Sequence, residues 1–442
     1  MTDAAAELSA ADRAAAPAPA GSYARGARIL SVGIAATGLL SFLYFAVASH
    51  VLPADAYGAI ALLWAILFVV ISIIYRPVEQ LLSRTIADRR ARGLHHGHPL
   101  RVALALQAGF AALFLAVALA LRVQIVDLFD GSQTLFWIFT GAALAYAASY
   151  FARGYFAGHQ WFGLYGGLVL FESLSRVCFP LAVAVGIAGG QATVAAGILA
   201  APLASLIVVP WALIRHVRPA GAAPAAPRPE PRSELSLRTG GGFALAVAGV
   251  QLGEQALLNA GVIVASAVAG AALAGAVFNA LLITRAPLML FQSIQTSLLP
   301  HLAGLEATEG QAEFRRAVRI TILAIVGFAG LVALGLLLVG PLVMHVVFGD
   351  EVDYPRVGLA VVAVGMGLHL VAGTLNQAAL ARGRAGVAAA AWLAAAAGFV
   401  AWMLAGWVDD VLLRAEVGYA GGALLLCVLL SGVYVRDRRS AT

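Results

Sequence analysis

Ionisable side chains are scarce in this chain, and those that interrupt its apolar runs are the ones with chemistry to do. Arg285 lies near the middle of a run from 271 to 299, with no acid three or four residues away. A guanidinium there presents a rigid fork of five donors that suits carboxylate or phosphate oxygens. Its helical face continues through Met289, Gln292 and Thr296, at spacings of 4, 7 and 11, as a polar stripe suited to a lumen. Glu172 and Arg176 stand i,i+4 in a run from 164 to 186, with the acid N-terminal, the favourable order. Such a pair either lines a cavity or ties its helix to a neighbour. Glu254, between Gln251 and Gln255 in a run from 242 to 266, can carry a proton or balance Arg285. Asn259 and Asn279 join the set on polarity alone. Arg76 and Glu79 are i,i+3 near the end of a run from 57 to 82, where long side chains can snorkel to an interface, and Arg76 is also a candidate for the cavity wall.

Several chemistries are missing. There is no lysine, hence no Walker lysine, and no phosphate-binding glycine loop appears, which excludes ATP hydrolysis by this chain. His95, His96 and His98 sit among arginines in a polar loop and read as solvated residues, not as a metal site. Asp350, Glu351 and Asp353 read as an exposed turn, without a catalytic role. Cys178 and Cys427 lie inside apolar runs and read as packing residues. No cofactor or metal is implied. All 28 basic residues are arginine, which reflects coding bias and gives no ground for a nucleic-acid partner.

The elements that must position these residues are membrane helices. The 442 residues are 62% hydrophobic and 11% charged, against about 25% charged in an ordinary soluble domain. A charge at the centre of a membrane helix costs about 2.5 to 3.5 kcal/mol, so each one needs a partner or a water-filled cavity. Apolar runs recur at lengths near the roughly 20 residues a helix needs to cross a bilayer. They place spans at 29–49, 57–82, 99–121, 133–157, 164–186 and 191–214, then at 242–266, 271–299, 317–339, 354–381, 385–407 and 411–435. A cleaved signal peptide ending near Ala48 is disfavoured, because the first run is too long and a second follows at once. The fold class is all-α, a polytopic integral membrane protein of about 12 transmembrane helices in two six-helix lobes. Residues 1–24 form a disordered tail, 25–215 and 240–435 the lobes, 216–239 a Pro- and Arg-rich linker, and 436–442 a second tail. Pro77, Pro180, Pro202 and Pro287 fall inside spans, where kinks are expected.

Arginine placement sets the orientation, since positive charge is retained on the cytoplasmic side of short loops. With both termini inside, 22 arginines fall on inside segments and 3 in outside loops, namely Arg122, Arg356 and Arg414. Lobes of even span number share one orientation, which makes a parallel repeat. Gly58-Ala59-Ile60 opens span two and Gly275-Ala276-Val277 opens span eight at an offset of 217.

Two transporter families have this layout. The major facilitator superfamily is the alternative, on Asp88-Arg89 after span two, although Ser83 and Ala91 stand where its pattern has glycines. The chain more closely resembles the multidrug/oligosaccharidyl-lipid/polysaccharide (MOP) exporter superfamily, in particular its Wzx-like polysaccharide flippases. That resemblance rests on "ARGYFAGHQWFGLYG" (152–166) after span four, "NQAALARGRAG" (376–386) after span ten, and the exit of span eight through Pro300. Drug exporters of the superfamily usually carry an acid and a proline in span one, and span one here has neither. The resemblance implies export of a polyprenyl-pyrophosphate-linked oligosaccharide across the cytoplasmic membrane by alternating access. A polysaccharide polymerase and glycosyltransferases would be partner enzymes, with membrane lipids around the chain. A small-molecule or drug exporter, of the MATE or major facilitator type, is the other reading.

The arginine asymmetry predicts a cytoplasmic linker. A cysteine introduced there should stay unmodified by an impermeant maleimide in intact cells and react after permeabilisation. Reaction in intact cells would reverse the orientation.

Overall fold

The computed structural model describes residues 20–91, 97–209, 237–285, 311–349 and 353–439. These residues form helices α1 Ala20–Val51, α2 Ala54–Ile74, α3 Arg76–Ala91, α4 Gly97–Ala120, α5 Arg122–Leu128, α6 Gln133–Gly158, α7 Phe162–Ala184 and α8 Gly190–Ser205. The second half supplies α9 Leu237–Ala269, α10 Ala271–Arg285, α11 Gln311–Phe348, α12 Arg356–Ala381, α13 Ala385–Ala405 and α14 Val411–Arg439. No strand occurs among the described residues. Nine of the described helices are long and apolar enough to cross a membrane, and three shorter apolar helices, Ala35–Val51, Gly190–Ser205 and Ala271–Arg285, fall where further spans are expected. The chain is a multi-pass α-helical membrane protein. A bilayer forces this class on it, because hydrocarbon offers no partner to a backbone N–H or C=O outside a helix.

Several boundaries differ from the hydropathy reading. α1 starts at Ala20, inside the expected tail; α9 starts at Leu237, inside the expected linker; and α14 continues to Arg439, inside the expected C-terminal tail. Polar residues extend a helix beyond the bilayer without an apolar signal. The loop after span three carries the short α5. Most of the linker, residues 92–96 with His95 and His96, Asp350 and Glu351, and the second part of span eight, with Pro287, Met289, Gln292 and Thr296, lie outside the described residues.

The same span pairs pack in both halves. Spans one and five (α1 with α7) correspond to seven and eleven (α9 with α13), and spans five and six (α7 with α8) to eleven and twelve (α13 with α14). Spans three and four, and four and six, are likewise matched by nine and ten, and ten and twelve. The halves meet along α2 and α9, with smaller contacts of α1 on α11 and α3 on α9. The two glycine-led triplets meet beside this contact, where α2 passes the start of α10. A Cβ at Gly58 would collide with the Ala271 carbonyl, and one at Gly275 would lie 3.2 Å from the Gly58 Cα. Both glycines are therefore fixed by helix approach, and residues 217 apart in sequence form one seam.

Gly58→Val should lower the melting temperature in detergent, by the equivalent of about 1–3 kcal/mol for overpacking. Gly109→Val, at a helix position with open space around it, should leave it unchanged. Equal effects at the two sites would remove the seam from the account.

Candidate functional site

Between the halves lies a cavity of about 460 Å³. Its wall includes side chains of α1, α2, α3, α6, α7, α9, α10, α12 and α13. Four arginines (Arg76, Arg153, Arg176, Arg285) and three glutamates (Glu79, Glu172, Glu254) face it, leaving an excess of one positive charge.

Pro77 brings the first pair in. Without an N–H, and with its ring against the preceding turn, it cannot continue a regular helix. The span turns at Tyr75 and resumes as α3. Arg76 and Glu79 consequently line the cavity and do not snorkel to an interface. Arg76 Nη1 donates to Gln251 Oε1 at 3.0 Å across the halves, and Tyr165 Oη donates to Glu79 Oε1 at 2.9 Å.

In the first half the charges saturate one another. Glu172 accepts from Arg153 Nη2 at 2.5 Å and from Arg176 Nη2 at 3.3 Å, and all three residues are buried. Arg176 also donates to Tyr146 Oη at 2.9 Å and to Ser41 Oγ at 3.3 Å, while its guanidinium lies 4.4 Å from the Trp64 ring centre. The Arg153 guanidinium lies 4.6 Å from the Tyr150 ring centre. Arg176 is thus both cavity-lining and structural. Arg153 was missed by sequence reasoning, which counted it as a cytoplasmic charge after span four. A signal existed: Tyr146, Tyr150 and Arg153, at spacings of 4 and 3, occupy one helix face.

The second half is left open. Arg285 lines the cavity and makes no hydrogen bond or ion pair with a described residue. Glu254 receives one long contact, from Gln251 Nε2 at 3.4 Å. Asn259 Nδ2 donates to the Gln255 carbonyl at 3.0 Å and to Gln255 Oε1 at 3.1 Å, so its amide is committed within its own helix. Trp392 Nε1 donates to Asn376 Oδ1 at 3.1 Å. His369 also lines the cavity, with Nδ1 buried and unpartnered.

Asn279 is the correction. It does not line the cavity. Buried in the seam, it accepts from Tyr57 Oη and donates through Nδ2 to Tyr354 Oη at 3.2 Å. Its position beside Gly275, one helical turn beyond it, makes it a clasp between the halves. Gln292 lies outside the described residues.

No protein-family model and no curated protein matches the sequence. Solved structures do match. A Vibrio cholerae MATE transporter, VcmN, aligns at TM-score 0.64 with 17% identity, over 95% of this chain and 98% of its own. An inward-facing multidrug resistance MATE transporter of the MOP superfamily aligns at 0.64 with 14% identity, over 93% and 98%. The eukaryotic MATE transporter AtDTX14 aligns at 0.61 with 14% identity, over 93% and 95%. The fold is therefore that of MATE transporters, and the second of these neighbours is itself described as a member of the MOP superfamily.

Glu172→Gln would leave two buried arginines without a counter-charge, whereas Arg153→Met leaves the Glu172–Arg176 pair intact. Glu172→Gln should therefore lower thermal stability more, by about 3–5 kcal/mol for a broken buried pair. The opposite order in melting experiments would show that Arg153 and Glu172 do not form the central pair.

Proposed function

We propose that this chain is an alternating-access transporter that moves a polyprenyl-pyrophosphate-linked oligosaccharide across the cytoplasmic membrane, with both termini inside. The observation that carries this reading is Arg285, a cavity guanidinium without a hydrogen-bonding partner among the described residues, in a wall of net positive charge. A pyrophosphate supplies the oxygens such a fork accepts best. Arg76, which has a single bond to Gln251, is the second donor within the cavity. Arg176 is held by Glu172, Tyr146 and Trp64, so its contribution is to fix the wall. Trp64, Phe68 and Tyr150 offer ring faces to sugars, and the lipid tail stays in the bilayer. Opening and closing follow from the two halves rocking about the α2–α9 contact. Membrane lipids surround the chain, and a polymerase and glycosyltransferases would act before and after it.

A second reading is export of a small molecule or drug. Two observations favour it: solved neighbours include a multidrug resistance MATE transporter, and the weakly bonded Glu254 could attract a cation. The absence of an acid in the described part of span one and the positive excess of the cavity favour the lipid-sugar reading.

Transfer of a fluorescent polyprenyl-pyrophosphate oligosaccharide in proteoliposomes separates the two. Arg285→Ala should reduce it about 10- to 100-fold, the equivalent of about 1.5–3 kcal/mol for hydrogen bonds to a charged group. Arg285→Lys should restore part of it, because a point charge cannot reproduce a bidentate fork. Unchanged flipping by Arg285→Ala would sink the site assignment. Efflux of a cationic dye that depends on Glu254, with no flipping, would transfer the protein to the second reading.

A further inference from the structure

Glu416 is the carboxylate that the cavity does not use. It lies on α14, five residues after Val411, and is 2% exposed. Both of its carboxyl oxygens are buried without a hydrogen-bond partner. It packs against Gly358 in the first turn of α12, where an added Cβ would take the space of the carboxyl group.

The polar groups around it are committed elsewhere. Asp410 Oδ1 caps α14, accepting from Leu412 N at 2.9 Å and Leu413 N at 3.1 Å. Arg414 Nε donates to the Val408 carbonyl at 2.6 Å and its Nη1 to the Met403 carbonyl at 3.2 Å. Tyr419 Oη donates to Met366 Sδ at 3.3 Å, and Trp402 Nε1 to the Arg414 carbonyl at 2.9 Å. Arg356 at the start of α12 and Asp409 in the α13–α14 loop are exposed. Gly261 of α9, Ala280 of α10 and Phe399 of α13, which complete the wall, bring no charge.

A lone ionised carboxylate buried in this way would carry a desolvation penalty of several kcal/mol. The gap beside Glu416, about 10 Å³, holds at most one water and has no oxygen cage for a metal ion. A proton is the one cation that meets these limits. A protonated carboxyl in this pocket still lacks an acceptor for its O–H, so it is readily discharged once water reaches it. Water can enter where the halves separate: Tyr354, which closes the Tyr57–Asn279–Tyr354 clasp, stands four residues before Gly358.

We propose that Glu416 is a proton-binding site, loaded while the clasp is closed, whose discharge displaces the first turn of α12 and parts the two halves at that end. An ionised Glu416 needs more hydration than the one water that gap can hold, and moving Gly358, which abuts the carboxyl group, makes room for it. The proton is thereby the ion that drives the conformational cycle. This inference rests on the alternating-access reading, but not on which substrate is carried.

The test uses the full chain in lipid nanodiscs with Cys178 and Cys427 replaced. Dicyclohexylcarbodiimide, which modifies protonated carboxyls in apolar surroundings, should label the Glu416 peptide at mildly acidic pH and lose that labelling at alkaline pH, as read by mass spectrometry. Spin labels at His50→Cys and Val268→Cys, exposed positions at the clasp end of opposite halves, should report a longer distance as pH rises. Glu416→Gln, which mimics the protonated acid, should hold the short distance at every pH. Glu416→Leu, of similar size and without a polar group, should do the same and covers a folding defect peculiar to the amide. No Glu416 adduct at any pH, or a pH-driven opening that survives in both variants, would overturn the proposal while leaving the transporter reading in place. A distance that never changes under any pH or added lipid-linked substrate would overturn the alternating-access reading itself, and this inference with it.

Discussion

The hydrocarbon interior tolerates charge only where charge is answered, and this single constraint arranges the molecule. Seven charged side chains from both halves converge on one cavity, where each can find a partner or water. The first half answers three of its charges internally, in the Arg153–Glu172–Arg176 cluster supported by Tyr146 and Trp64. The second half leaves Arg285 and Glu254 largely unanswered. One wall is therefore preorganised and rigid, while the other retains unspent hydrogen-bonding capacity. A ligand that brings its own charge gains most at the second wall, because the groups there do not have to break protein bonds first.

The repeat shows how the two halves are joined. Equivalent span pairs pack within each half, and the halves meet along α2 and α9 and where α2 passes the start of α10. At one end that seam is drawn tight by Gly58 against Ala271 and by the tyrosine clasp on Asn279. The closed end is built from close backbone approach and a tyrosine clasp, and the charged cavity lies farther along the interface.

Fold class was legible because membrane insertion is a composition rule, so apolar length alone finds the spans and their number. Helix ends were not, since α1, α9 and α14 run beyond the apolar stretch on polar residues that hydropathy cannot score. Within the site, Arg285, Glu254, Glu172 and Arg176 were visible as charges where none should be. Arg76 was visible as a cavity candidate, but Glu79 was left at the interface, because the break at Tyr75 that turns both inward depends on packing after Pro77. Asn279 was placed in the lumen on polarity alone, and polarity does not distinguish a binding amide from a clasp. Glu416 gave no signal at all, for it lies near a span end, where an acid is ordinarily solvated.

Arginine counting faces the same ambiguity, and the structure shows how far it matters. Arg153, counted as an inside charge, is a buried partner of Glu172. Arg414, counted as an outside charge, is buried too, bonding the Met403 carbonyl near the end of α13 and the Val408 carbonyl in the loop that follows. Neither is free to interact with a lipid headgroup or to resist translocation as a solvated loop charge does. Removing both leaves 21 arginines against 2, so the asymmetry becomes steeper once structural arginines are set apart from topogenic ones. The two roles are separable in principle: a topogenic arginine tolerates replacement by lysine, whereas Arg414 holds carbonyls of Met403 and Val408 through two different nitrogens of one planar group, which lysine cannot do.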